Sequence, residues 1–223
     1  MVFSSLPFLF LFLTVVLLVS HILPFRFRNF FLLLANLVFY AYGEPVYVLI
    51  MIGSILVNFF AGLLMDKQST QGRRRAVLVV GIVLNLAALG VFKYAGLFVS
   101  TLREIPGLSS LPEVDIALPI GISFYTFQAV SYLIDVYWDD CAASHNLINF
   151  ASYISLFPQL IAGPIVRYKD VNEQLVSRRE TPTLFNSGVR LFVVGLAKKV
   201  LLANQFGMLW DAMSADPGAA GAL

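Results

Sequence analysis

Charge is the scarcest ingredient of this sequence. Only 13% of its 223 residues are Asp, Glu, Lys or Arg, while 59% are hydrophobic; an ordinary soluble domain has about 25% and about 45–50%. No water-soluble core absorbs such an excess. With Cys141 as the sole cysteine, an internal disulfide and a cysteine-based metal site are both excluded. The two histidines, His21 and His145, are far apart and lack Asp, Glu or Cys at ligand spacing, so no metal site is expected. Each reads as an interface or surface residue rather than a general base. A net charge of +2 is too small to suggest a nucleic-acid partner. Phosphate-cradling glycine loops and serine nucleophile elbows are also missing.

Uncharged length is what the chain has in quantity. Successive apolar stretches approach the ~20 residues that a helix needs to cross ~30 Å of hydrocarbon. They are solid runs rather than the ~10-residue alternating segments of a membrane β-barrel, so helices are expected. The first run has neither the charged start nor the small-residue cleavage site of a signal peptide and is expected to remain in the protein. The expected fold is all-α: a polytopic transmembrane helical bundle forming one domain over residues 1–223, without internal repeats.

The runs fall at residues 6–23, 30–42, 46–65, 76–100 and 118–138. The second is about 13 residues long, marginal for crossing, and stops at the Gly43-Glu44-Pro45 turn signal. Arg26 and Arg28, then Lys67 and Arg73 to Arg75, mark one side of the membrane; Glu44 and the polar loop with Arg103, Glu104, Pro106, Pro112, Glu113 and Asp115 mark the other. The positive-inside rule then puts the N-terminus outside the cytoplasm. A full crossing by residues 146–163 would export Arg167, Lys169, Arg178 and Arg179. The same stretch carries Pro158, Gly163 and Pro164, which break helical hydrogen bonding, so a re-entrant segment is expected there, buried in protein or lining a wet cavity. Residues 184–210, interrupted by Arg190, Lys198 and Lys199, read either as an interfacial amphipathic helix or as a span within the bundle. The sequence ends in the apolar stretch 218–223.

Two constellations stand out. Tyr125, Gln128, Ser131, Tyr132 and Asp135 recur at helical spacing on one face. They serve either as polar contacts between helices or as the lining of a substrate path. The second is the Pro158-Gln159 to Gly163-Pro164 stretch, with Gln159 its one amide side chain. Arg167 and Lys169 just beyond it have the chemistry to receive an anionic group, or to act only as topology anchors. Asn58 and Asn85 read as interhelical hydrogen-bonding groups.

The strings LPIGISFYTFQ (118–128), SYLIDVY (131–137) and FPQLIAGPIVRY (157–168) resemble the membrane-bound O-acyltransferase family, in its bacterial branch that acetylates exported polysaccharide. MVFSS at the start, FKYA (92–95), HNL (145–147) and LAKKV (196–200) add to the resemblance in order and spacing. It implies transfer of an acetyl group from acetyl-CoA or another acetyl carrier to hydroxyls of an alginate-like polysaccharide. No resident cofactor is implied. The implied partners are the lipid bilayer, the exported polysaccharide and periplasmic acetyl-transfer proteins, with the protein in the bacterial inner membrane. The family's catalytic histidine sits in a Trp-His-type motif, whereas Trp138 and Trp210 each precede Asp. The resemblance therefore implies the N-terminal portion of such an enzyme, with the catalytic histidine beyond Leu223 and no acyltransferase activity in these residues alone. Within it, Tyr125, Gln128, Ser131, Tyr132, Asp135, Pro158, Gln159, Gly163, Pro164 and Arg167 are expected to line the substrate path. A transporter or channel would also use broken helices and midplane polar groups, and an inert membrane partner is the third reading.

The orientation is directly testable. In a Cys141→Ser background, Thr70→Cys is expected to resist a membrane-impermeant maleimide in intact cells and to label after permeabilisation. Labelling in intact cells overturns the orientation.

Overall fold

The computed structural model describes residues 4–105, 112, 116–160, 163–178 and 180–215. Most of the polar loop at 106–115, together with Ile161, Ala162, Arg179 and the apolar ending 218–223, lies outside the described residues. Those described form two compact units, one drawn from residues 1–17 and 178–223, the other from 18–177. They contain helices and no strand, as the solid apolar runs predict. Three helices are long and apolar enough to cross a membrane by length and composition: Val48–Asp66, Gln71–Arg103 and Pro182–Ser214. The protein is a multi-pass membrane protein.

In the first unit a π-helical stretch, Pro7–Leu13, leads into α1 (Thr14–Ile22), which continues into the second unit. The last apolar region is one long helical run: α9 (Pro182–Lys198), a π-helical turn at Lys199–Ala203 and α10 (Asn204–Ala215). It starts cleanly because Thr181 Oγ1 accepts the Leu184 amide at 3.2 Å and Pro182 occupies the first helical position. Its length favours a span over a short interfacial helix, and none of its described side chains is buried.

The second unit holds α2 (Phe25–Gly43), α3 (Val48–Asp66), α4 (Gln71–Arg103), α5 (Ile122–Tyr137), α6 (Leu147–Ser155), α7 (Phe157–Leu160) and α8 (Tyr168–Val176). Here α2 corrects the sequence reading. It has 19 residues rather than about 13, so it is ~28 Å long, although with its two arginines it is not among the three helices long and apolar enough to cross. The arginines thought to precede it lie in its first turn. Arg28 is tolerated there because its Nε and Nη2 donate to the carbonyls of Leu23 and His21 at 2.9 and 3.1 Å, satisfying the end of α1.

In lipid, helices associate through close packing and internal hydrogen bonds rather than through exclusion of water. Both are visible. Gly62 on α3 faces the Tyr132 ring of α5 so closely that a Cβ there would collide with the phenol, and a Cβ on Gly81 of α4 would lie 2.7 Å from Leu133 Cδ1. Between α3 and α4, Asn58 and Asn85 exchange amide hydrogen bonds of 3.0 and 2.7 Å. Each amide also donates to a carbonyl one turn back, Ser54 and Gly81.

Asn58→Leu or Asn85→Leu alone leaves a buried amide short of its partner and is expected to cost about 1–2 kcal/mol. The double variant is expected to lose less than the sum. Denaturant unfolding in mild detergent measures the cycle, and strict additivity would show that the pair is not coupled.

Candidate functional site

The site is built on α5. Proline and glycine keep residues 118–121 out of the helix: Gly121 sits at the N-cap with φ 78°, a left-handed conformation that suits glycine. A Cβ at Gly121 would also lie 2.5 Å from the Leu160 carbonyl oxygen, so the start of α5 doubles as the seat for α7. From there the expected polar face runs down the helix, with Tyr125, Gln128, Tyr132 and Asp135 all buried.

Opposite it, residues 147–176 make an excursion that returns to its starting point. Asn146 caps α6, its Oδ1 accepting from the Ile148 and Asn149 amides at 2.9 and 3.2 Å. The helix ends at Leu156, and after the four residues of α7 the chain turns back into α8. Two contacts tie the limbs. Tyr153 Oη donates to the Val166 carbonyl at 2.8 Å. Asn29 Nδ2 on α2 donates both to Asn149 Oδ1 at 2.8 Å, at the beginning of α6, and to the Leu175 carbonyl at 2.7 Å, near the end of α8. A segment whose two ends meet at one side chain has not crossed anything, and α6 with nine residues spans only ~14 Å.

The excursion meets α5 at three levels. At the tip, Gln128 Nε2 donates to Gln159 Oε1 at 3.0 Å. In the middle, the rings of Tyr132, Phe150, Tyr153 and Tyr168 form a cluster with centroid separations of 4.6 Å (Tyr132–Phe150) and 5.2 Å (Tyr132–Tyr168 and Tyr153–Tyr168). Tyr132 Oη accepts the Ser144 amide at 3.0 Å, and Ser131 Oγ donates to the Gln128 carbonyl at 3.1 Å. At the base, Arg167 pairs with the fully buried Asp135, with Nη2 on Oδ1 and Nε 3.2 Å from Oδ2.

A charged rim surrounds that base. Lys169 Nζ is 3.0 Å from Asp140 Oδ2, to which Arg167 also approaches at 3.8 Å. Arg74 Nη2 donates to Asp139 Oδ1 at 2.6 Å and to the Val136 carbonyl at 2.9 Å. The hydrogen bond from Arg74 holds the Asp139 carboxyl below its ordinary range. Burial, followed by the charges of Asp135 and Asp140, pushes the Cys141 thiol up to about 11, so it is a poor nucleophile near neutral pH. Arg167 and Lys169 are thus engaged with carboxylates rather than presented to an outside anion. His145 lies 3.3 Å from Asp66 and is exposed. No group of three or more potential metal ligands occurs among the described residues.

The ten residues singled out from sequence divide. Tyr125, Gln128, Ser131, Tyr132, Asp135, Gln159 and Arg167 gather along the α5 seam. Pro158, Gly163 and Pro164 are exposed, so they shape the turn without facing α5. Gly163 has φ 149° and open space around it, so the demand on it is one of backbone conformation. Sequence reasoning missed Asn36 and Tyr40 on α2, which flank the tip: Asn36 Oδ1 accepts the Phe157 amide at 3.3 Å. The signal available was a polar pair four residues apart in the apolar run 30–42.

The family model for MBOAT, the membrane-bound O-acyltransferase family, matches residues 139–212, which include the whole excursion. The chain is 43% identical over 215 residues to the probable alginate O-acetylase AlgI of Pseudomonas aeruginosa, covering 95% of this chain and 41% of that protein. For the probable alginate O-acetylase AlgI of Azotobacter vinelandii the identity is 40% over 216 residues, with 95% and 43% covered. The peptidoglycan O-acetyltransferase of Helicobacter pylori is 31% identical over 210 residues, with 80% and 39% covered. The chain spans about two fifths of the length of these curated relatives. No solved structure matches it. With its helical membrane bundle and these relatives, the chain belongs to the membrane-bound O-acyltransferase family.

Proposed function

We propose that these residues form part of the wall of a path through a membrane O-acetyltransferase. The complete enzyme moves an acetyl group from a cytoplasmic donor, acetyl-CoA or another acetyl carrier, to hydroxyls of an exported, alginate-like polysaccharide. The observation that carries this reading is the contact of the broken excursion with the α5 polar face, Gln159 on Gln128 and Arg167 on buried Asp135. The names of the relatives supply the chemistry, O-acetylation of alginate or peptidoglycan. Periplasmic acetyl-transfer proteins are the expected partners, and the bacterial inner membrane, with the N-terminus on the periplasmic side, is the expected location.

The division of labour follows from the side chains. Acyl transfer to a hydroxyl requires a base to take the hydroxyl proton. Neither His21 nor His145 lies on the α5 seam, and the base is a histidine of the family's Trp-His-type motif, which these 223 residues do not contain. What this part supplies is position: polar groups fixed on two helices and a hairpin, with the lipid-facing sides left apolar.

In the complete enzyme, Gln159→Leu is expected to reduce acetyl transfer about tenfold while protein level falls much less, because it strips Gln128 of its buried partner. Gly163→Leu is expected to act through its backbone conformation, reducing folded protein as well as activity. Acetyl release into polysaccharide, normalised to membrane-inserted enzyme, measures both. Unchanged transfer by Gln159→Leu would make the hairpin an inert kink.

A further inference from the structure

Four buried polar atoms without a hydrogen-bond partner fall at one junction. They are Asn36 Nδ2 and Tyr40 Oη on α2, and Tyr125 Oη and Gln128 Oε1 on α5. These residues are between 0% and 4% exposed. The short helix α7 brings them together. Its Phe157 amide donates to Asn36 Oδ1, and the Phe157 ring packs 5.4 Å from Phe39. Two residues later Gln159 engages Gln128, and Leu160 abuts Gly121, one turn before Tyr125. The hydroxyls of Tyr40 and Tyr125 are near enough to interact electrostatically.

Buried polar atoms are nearly always bonded, because an orphan forfeits its hydration for nothing. The other buried amides of this unit obey the rule: Asn58, Asn85 and Asn29 donate within the fold. The junction departs from it four times. Its inventory is an amide N–H, two phenolic hydroxyls and an amide oxygen, with no formal charge among them. Asp135 and Arg167 are about two turns away along α5. Glu44, at the C-terminal end of α2, is near enough to Tyr40 to interact electrostatically, so a phosphate or carboxylate would meet an anion here and no cation. A sugar ring brings more hydroxyls than four atoms can satisfy. A carbonyl with a neighbouring N–H fits: its oxygen accepts from Asn36 and a tyrosine, and its N–H donates to Gln128.

We propose that the α2–α5–α7 junction is a subsite for the uncharged acyl and amide groups of the donor's thioester arm, held by Asn36, Tyr40, Tyr125 and Gln128. The proposal rests on the acyltransferase reading, and it adds two α2 residues and a ligand class to it. Because the two hydroxyls have no partner inside the fold, Tyr40→Phe and Tyr125→Phe remove the recognition groups and keep the rings.

The test titrates the full chain in lipid nanodiscs with S-acetyl-N-acetylcysteamine carrying a 13C acetyl carbonyl, and follows the carbonyl infrared band. Saturable binding with a band shifted down by hydrogen bonding is expected. The Y40F/Y125F variant is expected to keep or raise its thermal stability, to bind at least about tenfold more weakly and to lose the band shift. Equal affinity, an unshifted band, or a loss of thermal stability in the unliganded double variant would overturn the proposal. Displacement of the probe by maltotriose would assign the site to an acceptor sugar and overturn it too. In the complete enzyme, normal acetyl transfer by Y40F/Y125F removes the subsite and leaves the functional reading intact. If wild-type enzyme transfers no acetyl group at all, the functional reading fails while the binding result still decides the subsite.

Discussion

A carboxylate with no exposed surface survives only if something replaces the water it has lost. Asp135 is such a group, and Arg167 is its replacement. The pairing dictates much of the second unit. It requires the chain, after leaving α6, to come back far enough for Arg167 to reach α5, which fixes the length of the excursion and places Tyr168 in the aromatic cluster. The arginine is itself partly exposed and leans toward Asp140, so the buried charge is connected through a chain of ions to the wet rim. A lysine in its place would lose the second, Nε contact that makes the grip two-pronged.

Above the ion pair the same problem is solved with neutral groups. Asn29 bridges the two limbs of the excursion, Asn58 and Asn85 join α3 to α4, and Gln128 joins α5 to α7. Amides suit this task in a membrane because each carries both donors and an acceptor and costs less to bury than a charge. Glycine does the complementary work. Where Gly62 meets Tyr132, the absence of a side chain lets a tyrosine lie across α3 with its hydroxyl still free to accept the Ser144 amide.

Much of this was legible from residue order. The α5 stripe is a strong signal because Tyr125, Gln128, Tyr132 and Asp135 are costly on a lipid face, so helical spacing alone assigns them inward. The excursion was legible because Pro158, Gly163 and Pro164 conflict with a crossing helix and the basic residues beyond them conflict with export. Which of those residues would touch α5 was not legible. Proline and glycine report where a backbone bends and say nothing of which way the bend faces. The extent of α2 was hidden for another reason: hydropathy counts Arg26 and Arg28 as breaks, whereas the structure places Arg28 over the carbonyls of the preceding helix. Asn36 and Tyr40 were not legible either, since two polar residues in an apolar run do not show which neighbour they face.

The order of groups along the seam sorts them by charge. From tip to base it runs Tyr125, Gln128, Tyr132, Asp135, so its chemistry changes from uncharged hydrogen-bonding groups to an ion pair over ten residues, ~15 Å of helix. An ion or proton carrier needs ionisable groups along the path itself. Here the ionisable groups, Asp135, Asp139, Asp140, Arg74, Arg167 and Lys169, are gathered at one end and paired with one another. The end beside α7 holds neutral donors and acceptors among aromatic rings, with the Glu44 carboxylate close to Tyr40 beyond them. Such an arrangement, with its ion pairs at one end and neutral hydrogen-bonding groups at the other, differs from the chain of ionisable groups that an ion or proton carrier needs.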